Sequence, residues 1–260
     1  MTDDIPEWFV GKATPQSGIG QHVYTTQRHP LFYLQINKCG CTFLRNLLFH
    51  LDHDQVHPFS KRIHSHEADF IKAKAIPHQV LAASHYVFCA VRDPVDRFLS
   101  LYFDKLSDPE NPRDKWMRKL FIDEAGLRPV ENLNAKAHRV NCMKALNWID
   151  QNLAGKTEAS TNPHWQRQSV VLDRIKGTNP HLLNLDDLTQ QLPQILRPLI
   201  PDIAEQMGKI TERNESEKPF SRAEIVDDQL AAAIQAVYPL DTKLISDVRA
   251  NWASVRFTES

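Results

Sequence analysis

Two short segments of this chain gather residue types suited to holding anions. The first is Ile36-Asn37-Lys38-Cys39-Gly40-Cys41-Thr42. Where a strand passes through a tight turn into a helix, the first helical N–H groups lack intrahelical partners. They converge, with the positive end of the helix dipole, on a place that suits phosphate. Lys38 adds a mobile charge, Gly40 lets the backbone come close and Thr42 offers a hydroxyl. The order differs from the ATP-binding P-loop, G-x-x-x-x-G-K-[ST], because here the lysine precedes the glycine and the first glycine is missing. By residue types alone, a strand-to-helix turn with a solvated lysine is an equally good reading.

The second segment is Val91-Arg92-Asp93-Pro94, followed by Arg97 and Ser100. Arg92 ends an apolar run, where a guanidinium can grip a phosphate through two parallel hydrogen bonds. Ser100, two turns further on, reaches the same group if its face is turned to the ligand. Asp93 suits a helix cap, and Arg97 stands at the i,i+4 spacing of a helical ion pair with it. Alone, Arg92 reads as structural as readily as functional. Taken together the segments say more: if the two preceding strands are parallel neighbours, Lys38 and Arg92 share one sheet edge, which suits a donor with phosphates at both ends.

The elements that must position these residues are legible around them. Residues 31–36 (LFYLQI) and 86–91 (YVFCAV) are short apolar runs that read as buried strands. After the first, Phe43, Leu44, Leu47, Leu48 and Leu51 fall at helical spacing; after the second, Val95, Phe98, Leu99, Tyr102 and Leu106 do the same, with Pro94 in the first turn. Two strand-to-helix units imply a three-layer α/β/α fold with a central parallel sheet, P-loop-like in plan. Residues 60–80 read as polar loop and short helix, 108–113 as a Pro-broken connection, 133–153 as a helix and 155–164 as loop. Residues 169–175 (SVVLDRI) and 181–185 (HLLNL) read as further strands, Asp186 or Asp187 opens a helix toward Leu196, and 227–248 is helical. We expect one domain over 1–260, with an irregular segment over 1–30.

Composition bounds the class. The 260 residues are 42% hydrophobic with a formal net charge of −1, so no global field points to nucleic acid or to an anionic membrane. No stretch approaches the roughly 18 apolar residues of a membrane span, and a cytoplasmic protein is expected. Cys39, Cys41, Cys89 and Cys142 make neither a disulfide framework nor a zinc pattern, so reduced thiols and no metal site are expected.

INKCGCT resembles the 5'-phosphosulfate loop, P-K-x-G-[ST]-T, of sulfotransferases that use 3'-phosphoadenosine-5'-phosphosulfate (PAPS). VRDPVDRFLSLYFDKL resembles the V-R-D-P-x-x-R-x-x-S-x-Y segment that binds the 3'-phosphate in the same family. The likeness is greatest to the carbohydrate sulfotransferases of the chondroitin and HNK-1 type and to the heparan 2-O enzymes. Asn162-Pro163-His164-Trp165-Gln166-Arg167-Gln168 looks like their D-x-H-W-x-P-Q segment, and Arg213-Asn214-Glu215-Ser216 with Lys218 like their late N-x-S motif. Asn37 stands where the pattern has proline, Cys41 where it has a small hydroxyl residue and Arg167 where it has proline.

The resemblance implies donor contacts from Lys38, Cys39, Gly40, Cys41, Thr42, Phe43, Arg92, Ser100, Asn214 and Lys218. It also implies in-line sulfuryl transfer to a hydroxyl acceptor, a carbohydrate by family likeness, with no metal. A base is expected between the donor motifs, where His64 and then His66 alternate on what reads as an extended loop. Trp116, Trp148 and Trp165 are candidates for stacking on a sugar or for the core. Two other classes stay open: a small-molecule kinase with a degenerate P-loop, and a non-catalytic nucleotide-binding protein.

Overall fold

A computed structural model describes residues 6–11, 22–108, 112–129, 133–210 and 219–253. In chain order the elements begin β1 (Val23–Thr25), β2 (Phe32–Leu34), α1 (Cys41–His53), β3 (Ile71–Lys72), α2 (His78–Ala83), β4 (Val87–Val91), α3 (Pro94–Leu101) and α4 (Lys115–Ala125). They continue α5 (Ala135–Leu153), α6 (Gln168–Leu172), β5 (His181–Asn184), α7 (Leu188–Leu196), α8 (Ile203–Gly208), α9 (Arg222–Ile225), α10 (Asp228–Val237) and α11 (Pro239–Asn251). The chain divides into two compact units, one of Met1–Val91, Gln168–Asn214 and Ile245–Ser260, the other of Arg92–Arg167 and Glu215–Leu244.

The first unit holds a five-stranded sheet in the order β3-β1-β2-β4-β5. Its β2, β4 and β5 are parallel, with Tyr33 opposite Phe88 and Cys89 opposite Leu182. These three strands are the central parallel sheet expected from sequence, and β1, which runs antiparallel to both β2 and β3, extends it at one edge. Every residue of β2 and β4 is buried, as near-continuous apolar runs predict for strands inside a parallel sheet. Since β2 and β4 are parallel neighbours, the chain leaves both at the same edge. It leaves β2 into the tight turn at 37–40 and then into α1, whose Phe43, Leu44, Leu47, Leu48 and Leu51 are buried.

Residues 169–175 are not a strand. They form α6 and a following 3-10 turn (Asp173–Ile175). Gln168, Val171, Leu172 and Ile175 are buried while Val170 is exposed, so the burial repeats at i, i+3, i+4 and i+7. The β-branched run suggests a strand by composition, but its buried residues fall at helical spacing.

In the second unit, Asp93 caps α3 by accepting from the N–H of Val95 (2.9 Å) and of Asp96, and Pro94 occupies the first turn. A π-helical turn (Tyr102–Leu106) continues α3, and Tyr102 Oη meets His138 Nδ1 of α5 at 2.9 Å. Phe121, Trp148 and Trp165 pack ring against ring, with centroids 4.6–5.6 Å apart. The indole N–H groups of Trp148 and Trp165 donate to Glu124 and Asn152. Both tryptophans therefore serve the core, whereas Trp116 is 54% exposed. Among the described residues no helix is long and apolar enough to cross a membrane.

Candidate active site

The turn at 37–40 is built from left-handed backbone. Lys38 has φ 68° and Gly40 φ 74°. Gly40 is the natural residue there, and a Cβ on it would lie 2.6 Å from Leu185 Cδ1. Lys38 is not: a long side chain in this region costs about 1 kcal/mol or more and is held only where the surroundings impose it. Gly40 is also the N-cap of α1, with no side chain to satisfy the helix's first N–H groups. The turn is closed from within, since Cys39 N–H donates to Ile36 O and Cys39 Sγ, fully buried, contacts Gln168 Oε1 at 3.2 Å. Phe43, expected among the donor contacts, is 7% exposed, and its ring belongs to the core.

His64 lies against the first turn of α1. Its Nε2 is 3.1 Å from Thr42 Oγ1 and 3.4 Å from Cys41 Sγ. The segment that carries it is not an extended loop: Ser60–Ser65, kinked at Arg62, and Glu67–Asp69 form 3-10 turns that meet at His66. The two histidines have different neighbours. His66 stacks on Phe59 and lies with His57 and Asp69. His57 Nδ1 accepts the N–H of Phe59, which leaves Nε2 to donate to Asp69 at 3.0 Å.

The segment is pinned at both ends. Asn46 Nδ2 donates to Ser60 O and to Thr42 O, and Ile63 is fully buried. On the other side Arg45, 1% exposed, donates through Nη2 to Glu67 and to Tyr24 Oη, and through Nε to Gln35 at 2.7 Å; Lys72 Nζ pairs with Glu67 at 2.9 Å. Burial raises the Glu67 carboxyl, but Lys72 and Arg45 outweigh it and hold the group below its ordinary 4.5. Arg45, Glu67 and Tyr24 escaped the sequence reading. The burial that marks Arg45 is visible only in the folded chain.

From Arg92 onward the second motif belongs to the second unit. Arg92, partly exposed, is the residue between β4 and the capping Asp93. Arg97 is 3% exposed and donates to the carbonyls of Gln166 and Pro163, tying α3 to the Asn162-Pro163-His164-Trp165 segment. Ser100 is 7% exposed on α3. His164 Nδ1 pairs with Asn162 Oδ1 at 2.7 Å, and Tyr238 Oη donates to Trp165 O. Asn214 and Lys218 lie outside the described residues.

The structure thus brings Cys41, Thr42 and His64 together beside the Lys38–Gly40 turn and separates His66 from them. The family model for the sulfotransferase family matches residues 21–245. The chain belongs to that family. No curated protein and no solved structure matches it.

Proposed function

We propose that this sulfotransferase takes its sulfuryl group from PAPS and passes it to a hydroxyl, with a carbohydrate as the acceptor and His64 as the base. The carrying observation is the left-handed Lys38–Gly40 turn that opens into α1 with His64 against the helix's first turn. In this reading the turn and the α1 N-terminus hold the 5'-phosphosulfate, while Arg92 and Ser100 hold the 3'-phosphate by motif likeness. The acceptor oxygen attacks sulfur, the S–O bond to the 5'-phosphate breaks, and His64 removes the acceptor's proton. Lys38 neutralises charge growing on the departing oxygen. A carbohydrate acceptor is favoured by the motif likeness to the carbohydrate sulfotransferases.

Calorimetry with adenosine 3',5'-diphosphate tests the donor assignment. Lys38→Ala and Arg92→Ala should each weaken binding by about 1.5–3 kcal/mol, roughly ten- to a hundredfold, with magnesium-ATP bound poorly throughout. Absence of diphosphate binding, or a preference for magnesium-ATP, overturns the assignment in favour of a kinase.

A further inference from the structure

Cys41 stands where the family pattern carries a hydroxyl residue, and its surroundings differ from those of the other three cysteines. Cys39, Cys89 and Cys142 are each fully buried, whereas Cys41 is partly exposed at the first residue of α1. Its Sγ lies 3.4 Å from His64 Nε2, and the main-chain N–H of Lys38 hydrogen-bonds the same sulfur. The charged and titratable groups facing it are His64 from the 3-10 turn, Lys38 from the loop and the buried phenol of Tyr33 in β2. An imidazole in contact, an N–H donor and the positive end of a helix all favour thiolate over thiol.

We propose that Cys41 and His64 form a nucleophilic thiol couple, and that capture of a small disulfide by Cys41 reversibly blocks the donor loop. The thiolate attacks one sulfur of a low-molecular-weight disulfide. The new S–S bond forms at Cys41, the old one breaks, and the expelled thiolate leaves with the electron pair and takes a proton from solvent. Cys41 is oxidised and the disulfide reduced. The attached group then occupies the mouth of the turn, so the blockade rests on the donor-loop reading above.

Burial raises the Cys41 thiol, but His64 and Lys38 more than offset this, and the group is lowered from 9.0 to about 7. At neutral pH about half is then thiolate, against a few per cent for an ordinary thiol of pKa about 8.5. After the lower intrinsic nucleophilicity is allowed for, the expected gain in rate is about threefold. Cys89 and Cys142 are pushed up by burial and stay inert.

The test is iodoacetamide labelling of the full chain across pH, read by peptide mass mapping, followed by calorimetry with adenosine 3',5'-diphosphate after treatment with oxidised glutathione. We expect label at Cys41 alone with a half-rise near pH 7, moved toward about 8.5 by His64→Gln. Treated protein should lose diphosphate binding and regain it with dithiothreitol. A wild-type half-rise near 8.5, which needs no variant to be read, overturns the couple. Modified protein that binds diphosphate as tightly as untreated protein overturns the blockade. If untreated protein binds no diphosphate, the donor reading fails and the blockade with it, while the labelling profile still decides the couple.

Discussion

In the proposed mechanism a single backbone conformation, at Gly40, and a single ring nitrogen, of His64, carry most of the chemistry. Gly40 combines φ 74° with a neighbour, Leu185, that leaves no room for a Cβ. Gly40→Ala should therefore cost about 1–2 kcal/mol from backbone strain alone, read as a lower urea midpoint, and should weaken diphosphate binding by displacing Lys38. His64 and His66 stand two apart in sequence yet meet different neighbours. His64→Ala should lower kcat by about 10²–10⁴-fold while leaving the diphosphate Kd within a few fold, because a base acts on the acceptor's proton and not on donor binding. His66→Ala should change kcat far less; an equal loss in both would show that the whole segment, and not one imidazole, is being read.

The 60–72 segment is short of regular structure, so its position depends on what fastens it to α1 and the sheet. Ile63 and the Asn46–Ser60 bond hold one side of His64, and the Arg45–Glu67–Lys72 cluster holds the other. Glu67→Gln would leave the buried Arg45 guanidinium with a neutral acceptor at 67 in place of a carboxylate, beside Tyr24 and Gln35. We expect about 1–3 kcal/mol of destabilisation in denaturant titration and a parallel fall in kcat as His64 loosens. The pH dependence has a definite sign. Glu67 is held below 4.5 in the folded protein, so the unfolded chain binds the proton first. The cluster's contribution is complete above about pH 4.5 and is lost as pH falls through the lowered folded value; Glu67→Gln should flatten that acid limb.

At the scale of the whole molecule, side chains and a helix end meet the charge of the reacting group in the proposed mechanism, with Lys38 in the role a divalent cation plays in kinases. Turnover should therefore survive a chelator unchanged. Adenosine 3',5'-diphosphate at about a hundred times its Kd should add about 2.7 kcal/mol to the unfolding free energy of the part that binds it, seen as a thermal shift. Magnesium-ATP at the same concentration should give none. A chelator-sensitive enzyme stabilised by magnesium-ATP would belong to the kinase reading.

Local pattern alone determined β2, β4 and their following helices, because each rests on neighbours in sequence: an apolar run, a turn glycine, a capping Asp93 before Pro94. It failed at 169–175, where β-branched composition favoured a strand and packing of Gln168, Val171, Leu172 and Ile175 imposed a helix. It could not separate His64 from His66, since what distinguishes them is their contacts: His66 with Phe59, His57 and Asp69, His64 with Thr42 and Cys41. The Arg45–Glu67 fastening and the contact of His64 with Cys41 and Thr42 were likewise set by tertiary structure. They join residues about twenty apart whose meeting is fixed by how the segment packs on α1, and no local propensity encodes that.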